Sequence, residues 1–314
     1  MIVNALLIAY AIAINALAPR VLARAPWTRR SPRLGVLAWQ ASLGAVLGAV
    51  VLLAVSAVWP TGALSVDVGH LLHSCAEKLA LTGPLTSAGV TAVAALLVAV
   101  AGAGRLSWVL VSRTRLVRRQ RQRQRELLDV LVVDADDDGA LVLETDTPLA
   151  YCVPGGHGRI VLTTGAARLL TEEQRVAVIA HERAHLRGRH DLVLLLAEVA
   201  SAAFWFVRVF PTADQELKAL VEMLADDVAA RSTSGRDVAA ALVGLGLHRP
   251  PPATVGATGS AVADRVERLL GDEPPVRGPY GLVVVVGAAA VLVAPWLVVA
   301  GPLVAAARGL CVGG

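Results

Sequence analysis

Four stretches of the chain carry no charged side chain: Met1 to Pro19, Leu34 to Ser65, Leu79 to Gly104 and Gly278 to Ala307. A helix needs about 20 mostly apolar residues to cross a bilayer. The pattern predicts four spanning helices, at roughly 2–19, 36–59, 84–111 and 281–304. Trp27, Trp59 and Trp108 fall near the ends of these runs, where an indole prefers the interface. Ala16-Leu17-Ala18 would suit a signal-peptide cleavage site, but no basic residues precede the first run and a positive cluster follows it. That order fits a retained helix better than a leader.

Between the third and fourth runs lies a long polar segment, from about 113 to 277. Leu131-Val132-Val133 and Ala140-Leu141-Val142-Leu143 predict short strands around the turn Asp134–Gly139. Arg159-Ile160-Val161-Leu162 predicts another after the turn Pro154-Gly155-Gly156. A helix starts at Thr171, with Gln174 three residues on in capping-box spacing, and runs through the 180s. A second helix is expected from about Thr212 to Ala230, and the proline-rich stretch His248 to Gly259 reads as a loop. There is no internal repeat.

Composition narrows the class. The 314 residues are 55% hydrophobic and 17% charged, with mean hydropathy +0.62. A soluble domain is about 25% charged, so neither a soluble enzyme nor a disordered chain fits. Aromatics make up only 4%, and an apolar mass of Ala, Val and Leu suits spanning helices rather than a β-barrel.

The pI near 9.3 accompanies a net charge of only +4, and the positive charges sit beside the apolar runs. Arg20, Arg24, Arg29, Arg30 and Arg33 follow the first run. Arg113, Arg115, Arg118, Arg119, Arg121, Arg123 and Arg125 follow the third, whereas residues 61–83 hold only Asp67, Glu77 and Lys78. By the positive-inside rule both clusters are expected in the cytoplasm, which puts the N- and C-termini outside the cell. The 113–125 run is then a solvated basic helix beside anionic lipid, and no direct nucleic-acid contact is expected.

His181-Glu182-Arg183-Ala184-His185 is the motif that carries chemistry. Residues four apart share a helix face, so both imidazoles can bind one metal ion. Glu182 between them can take a proton from a water that the metal activates. Catalytic zinc usually keeps three protein ligands. Glu222 on the second helix can be the third, and Asp226, four residues on, can accept the outer N–H of a ligating histidine. The bare pentapeptide also fits a surface helix with two solvated histidines. The cap, the preceding strand and the Glu222–Asp226 pair favour a site.

The run Pro154-Gly155-Gly156, Arg159 to Gly165, Leu169 to Gln174, His181 to His185, Glu222 to Asp226 and Arg265-Val266-Glu267-Arg268-Leu269 resembles the integral-membrane gluzincin metallopeptidases. That group includes HtpX-type proteases and BlaR/MecR-type signal-transducing peptidases. The resemblance spans roughly 113–270 and leans to the BlaR/MecR side. The apolar stretch Leu192 to Phe210, with Phe204-Trp205-Phe206 and Pro211, is similar to the membrane-dipping segment of that group. His190 stands five after His185, as in HtpX-type sequences, and Asp191 lies one place later than the acid of BlaR-type ones.

The resemblance implies an α-helical membrane protein with a cytosolic α+β zincin-like metallopeptidase domain. The division is 1–112 (three transmembrane helices), 113–277 (peptidase domain) and 278–314 (fourth transmembrane helix and short tail). It also implies one Zn2+ per chain held by His181, His185 and Glu222, with Glu182 as general base and Asp226 behind a ligand. The strand near Arg159–Leu162 would be the edge that pairs with substrate. On this reading His190 is a surface histidine or a group behind the ligands, and Cys152 is a small core residue.

The sequence contains no Ser-x-x-Lys: the residues three before its two lysines, Lys78 and Lys218, are Cys75 and Gln215. Covalent sensing of β-lactams by these residues is therefore not expected. Cys75 and Cys311 fall in the expected outside regions, so either a Cys75–Cys311 disulfide or two unpaired thiols is expected. His70 and His73 are read as interfacial, or as a metal or pH sensor.

Three functions follow as expectations. The first is a membrane-embedded zinc endopeptidase cutting a cytosolic or juxtamembrane protein, in its specific form inactivating a transcriptional repressor in signal transduction. The second is an HtpX-like quality-control protease. The third is a non-catalytic sensor or scaffold. The expected partners are a protein substrate, membrane lipids and a second copy of the chain as a homodimer.

Overall fold

A computed structural model describes residues 2–58, 87–135, 139–156, 158–247, 257–271, 274, 276 and 278–312. It is mostly helical. In chain order the elements are α1 (Ile2–Leu22), α2 (Pro26–Arg30), α3 (Pro32–Val58), α4 (Ser87–Leu131), β1 (Val132–Ala135), β2 (Leu141–Leu143), β3 (Ala150–Val153), β4 (Arg159–Thr163), α5 (Thr164–Leu169), α6 (Glu172–Arg187), α7 (His190–Ala203), α8 (Val209–Ser232), α9 (Gly235–Leu247), α10 (Ala257–Leu270) and α11 (Pro279–Val312). Cys75, His70 and His73 lie outside the described residues, as does the side chain of Cys311. So does most of the expected loop at 248–259, except that Ala257 to Gly259 already belong to α10.

Among the described residues, four helices are long and apolar enough to cross a membrane: Ile2–Leu22, Pro32–Ser56, Leu96–Val130 and Pro279–Ala300. The third belongs to α4, a single helix of 45 residues, about 68 Å long at 1.5 Å per residue. It does not end where the apolar run ends; it continues through residue 113 and the arginine cluster.

The cluster is not wholly a solvated face. Arg113 pairs with Glu198 at 2.8 Å, and Arg121 with Asp191 at 3.0 Å. Arg125 Nη2 donates to the Pro154 carbonyl at 2.6 Å. These three arginines lie eight and four residues apart, on one helix face, and tie α4 to α7 and to the β3–β4 hairpin. Gly155 at that hairpin has φ 104, and a Cβ there would stand 2.3 Å from Arg125 Nη2. Glycine meets both the backbone and the space requirement.

The strands form one sheet in the order β1-β2-β4-β3. β1 pairs antiparallel with β2, β2 parallel with β4, and β3 antiparallel with β4. β4 is therefore internal and paired on both sides. The expectation that Arg159–Leu162 forms a substrate-accepting edge is overturned. β3, which the sequence pattern did not reveal, is an outer strand, as is β1.

The helices of the polar segment are built onto the membrane-type helices. One buried cluster joins Trp39, Leu43 and Val46 of α3 to Ala197 and Ala200 of α7 and to Phe210, Ala213, Leu217, Leu220 and Val221 of α8. The turn between α7 and α8 exposes Trp205 and Phe206. Its backbone is held by side chains from other helices. Asn15 Oδ1 of α1 accepts the Val209 N–H at 3.0 Å, and Arg105 of α4 donates to the carbonyls of Ala203 and Ala202.

Candidate metal centre

α6 is a helix with its start fixed in sequence. Thr171 accepts the Gln174 N–H, the Gln174 side chain returns to the Thr171 N–H, and Glu172 and Glu173 occupy the first turn. Both features favour helix at an N-terminus. Three turns later the helix presents His181 and His185 on one face. α8 presents Glu222 and Asp226 towards them, while its Leu217, Leu220 and Val221 are buried against α3 and α7.

His181 Nε2 and His185 Nε2 are 3.1 Å apart. Glu222 Oε2 is 3.7 Å from the first, and Glu222 Oε1 is 3.6 Å from the second. The three ligand atoms all lie within 4.8 Å of one another. A tetrahedral ion with bonds of about 2.0–2.2 Å holds its ligand atoms roughly 3.3–3.6 Å apart. The donor set, two imidazoles and a carboxylate, also suits zinc, so the residues fit that ion.

Behind the ligands stands a polar network. Asp226, fully buried, has Oδ1 3.0 Å from His181 Nδ1. Arg265, from α10, grips Asp226 bidentately, Nε to Oδ2 and Nη2 to Oδ1, each at 2.7 Å. Its Nη1 lies 3.0 Å from Glu222 Oε2. Arg268, one turn on, donates to Asp227 Oδ1 at 2.6 Å and to the Arg29 carbonyl at 2.8 Å. α10 is thereby fixed to both α8 and the α2 segment.

Arg265 is the site residue that sequence reasoning missed in role. Its block was recognised, but helical periodicity does not show where α10 docks. Of the two places expected for His190, at the surface or behind the ligands, the structure shows the second. Its side chain is 5% exposed, and its Nδ1 is 3.1 Å from His185 Nδ1.

Glu182 faces the sheet edge. Its carboxylate interacts with the Cys152 thiol and with the Cys152 backbone N–H on β3. Burial pushes the Cys152 thiol well above its ordinary range, with Glu182 adding to the shift, so it is no nucleophile. A groove of about 960 Å³ runs past these groups between β3, α6, α9 and α10, with Val178, Ala241, Leu245 and Val262 among its apolar walls.

Charge in the site is strongly redistributed. Burial raises the Glu182 carboxyl, against the pull of His181. Burial opposes charge on His181, but Asp226 and Glu222 outweigh it and lift that imidazole to about 9. Burial and the His181 charge bring His185 down to about 4; burial and His185 do the same to His190. Glu222 is lowered to about 2 despite burial, by His181 and Arg265. Asp226 is lowered by the same two partners against its own burial.

The comparison with known families bears on this arrangement. Residues 117–231 match the model of peptidase family M48. No curated protein and no solved structure matches the chain. The matched stretch begins within α4 and includes the sheet, the helix with His181, Glu182 and His185, and nearly all of α8, with Glu222 and Asp226. The match implies a metallopeptidase. It ends before α9 and α10, so the part of the groove wall that these helices form, and Arg265, lie beyond the matched residues.

Proposed function

We propose that this chain is a membrane-bound zinc endopeptidase that cleaves a cytosolic or juxtamembrane protein. The observation that carries the reading is the convergence of the His181, His185 and Glu222 ligand atoms within 4.8 Å, with Glu182 beside them next to a sheet edge. Zinc held by those three residues would supply Lewis-acid charge to the scissile carbonyl and acidify a nearby water. Glu182 takes the proton of the attacking water and returns it to the leaving amine. Its raised pKa, set by burial, suits both roles. Asp226, held by Arg265, steadies the His181 ring. Among the described residues no strand pairs with the outer edge of β3, which can receive an extended substrate by strand addition.

In its specific form the proposal is a signalling peptidase that inactivates a transcriptional repressor. The resemblance of Leu192–Phe210 to the BlaR/MecR membrane-dipping segment supports this. The α7–α8 hairpin, with Trp205 and Phe206 exposed at its tip, is consistent with it. An HtpX-like quality-control role is the second reading, favoured by His190 at the HtpX-type position. The arginine clusters at 20–33 and 113–125 support a cytosolic catalytic domain with both termini outside.

The test compares new protein N-termini in cells expressing wild type and Glu182→Gln. Fragments present only with wild type are expected, and their identity separates repressor signalling from quality control. Identical fragment sets from two zinc-loaded proteins would contradict the enzyme.

A further inference from the structure

The turn from α6 to α7 supplies no metal ligand, yet it is unusually constrained. Arg189 has φ 49, the one non-glycine residue with positive φ among those described. Such a conformation is disfavoured for residues with a Cβ and persists where the surroundings impose it, often at functional sites. At Gly188, a Cβ would stand 2.4 Å from His190 Nε2 and 2.6 Å from its Cδ2. Only glycine there leaves the imidazole its place. Together the two residues fold the chain back so that His190, the first residue of α7, lies against His185. The ring centroids are 4.9 Å apart and the planes nearly perpendicular, at 86°.

The nitrogen chemistry assigns this contact a direction. His185 Nε2 faces His181 Nε2 and Glu222, the side where the ion would be held. A ligating imidazole nitrogen carries no proton, so in neutral His185 the proton resides on Nδ1, which must donate. His181 has the Asp226 carboxylate at its Nδ1. His185 has the His190 Nδ1 at 3.1 Å. Asp191, the residue after His190, is engaged elsewhere, with its Oδ2 3.0 Å from Arg121 Nη2.

We propose that His190 is a positioning residue for the metal centre: its Nδ1 accepts the His185 Nδ1–H, fixing the ring and the tautomer that turn His185 Nε2 towards the ion. The two imidazoles are then held differently, His181 by a carboxylate and His185 by a neutral imidazole. Gly188 and Arg189 are the backbone device that brings the acceptor into place. The inference rests on the zinc reading above.

The test measures zinc affinity of the full-length protein in detergent, by competition with a chromophoric chelator. The variants are His190→Asn, which keeps an acceptor where Nδ1 stands, and His190→Leu, which keeps apolar volume without one. Glu222→Ala marks the loss of the site, and the thermal midpoint of each zinc-free protein reports packing. We expect His190→Leu to weaken zinc about 10–100-fold with a midpoint near wild type, and His190→Asn to stay close to wild type. Wild-type affinity in His190→Leu, or an equal loss in both variants, would overturn the proposal. Should His190→Leu fail to fold, Gly188→Ala replaces it, since its Cβ displaces the ring while keeping the histidine. The same weakening is expected, and undiminished affinity would overturn the proposal. A wild type that binds zinc no better than Glu222→Ala would instead refute the metal reading, and this inference with it.

Discussion

Glu182 and Arg265 are the two side chains whose replacement separates chemistry from architecture. Glu182 touches Cys152 on the sheet edge and is not one of the three clustered ligands. Glu182→Gln should therefore keep the bound zinc and lose about 10²–10⁴ in turnover. Equal cleavage by the variant, measured on one substrate protein, would remove Glu182 from the mechanism. Arg265 acts differently. It neutralises Asp226 and Glu222 together, so Arg265→Gln leaves a buried carboxylate without its partner. Breaking such a pair costs about 3–5 kcal/mol. A fall in thermal midpoint and weaker zinc binding are expected, and Arg265→Lys should recover little because lysine cannot make the two-pronged contact.

Much of this residue scale was legible in the sequence. The spacing of His181, Glu182 and His185, and of Glu222 and Asp226, follows from one helical period. The structure brings the three candidate ligands together, with Asp226 beside His181. Arg265 and His190 were not legible in the same way. One depends on how a separate helix docks, the other on a left-handed turn that periodicity does not encode.

At the scale of elements, two helix starts are held by contrasting means. α6 is capped by its own sequence, and Thr171→Ala should cost about 1 kcal/mol. α8 begins with no side-chain cap of its own and takes Asn15 from α1 instead. Asn15 lies within an apolar helix, where an unpaired backbone N–H has no water to turn to. Asn15→Leu leaves the Val209 N–H without its acceptor, at about 1–3 kcal/mol. A lowered midpoint in detergent is the expected result, and an unchanged midpoint would show that the contact contributes nothing.

The sheet shows where reading by pattern stops. β4 was recognised because Ile160, Val161 and Leu162 form an apolar run. Its position in the sheet depends on pairing with β3, whose Ala150-Tyr151-Cys152-Val153 is short and half-buried. Strand order is non-local information, so the sheet edge was assigned to the wrong strand.

At the scale of the whole molecule, the polar segment is not a detachable unit hung from four helices. α8, which carries Glu222 and Asp226, buries Phe210, Leu217 and Leu220 against Trp39 and Leu43 of α3. α4 runs unbroken from its apolar part into the sheet. Movement of α3 would therefore be felt directly at α8, and movement of α4 through α7, a physical route by which a membrane event could open or close the site. A fragment of residues 113–277 would expose this apolar face, and it should aggregate or fail to hold zinc. A monodisperse, zinc-loaded fragment would contradict that coupling. Trp39→Ala in the full chain, which opens the centre of the same cluster, should cost about 3–5 kcal/mol.

The central claim is that His181, His185 and Glu222 hold one zinc ion. The measurement that tests it most directly is the metal content of the purified full-length protein, by elemental mass spectrometry, for wild type, Glu182→Gln, His181→Ala and Glu222→Ala. The account predicts one zinc per chain in the first two and loss of zinc in the last two, with all four still folded. Zinc absent from wild type, or retained in full by Glu222→Ala, would contradict it.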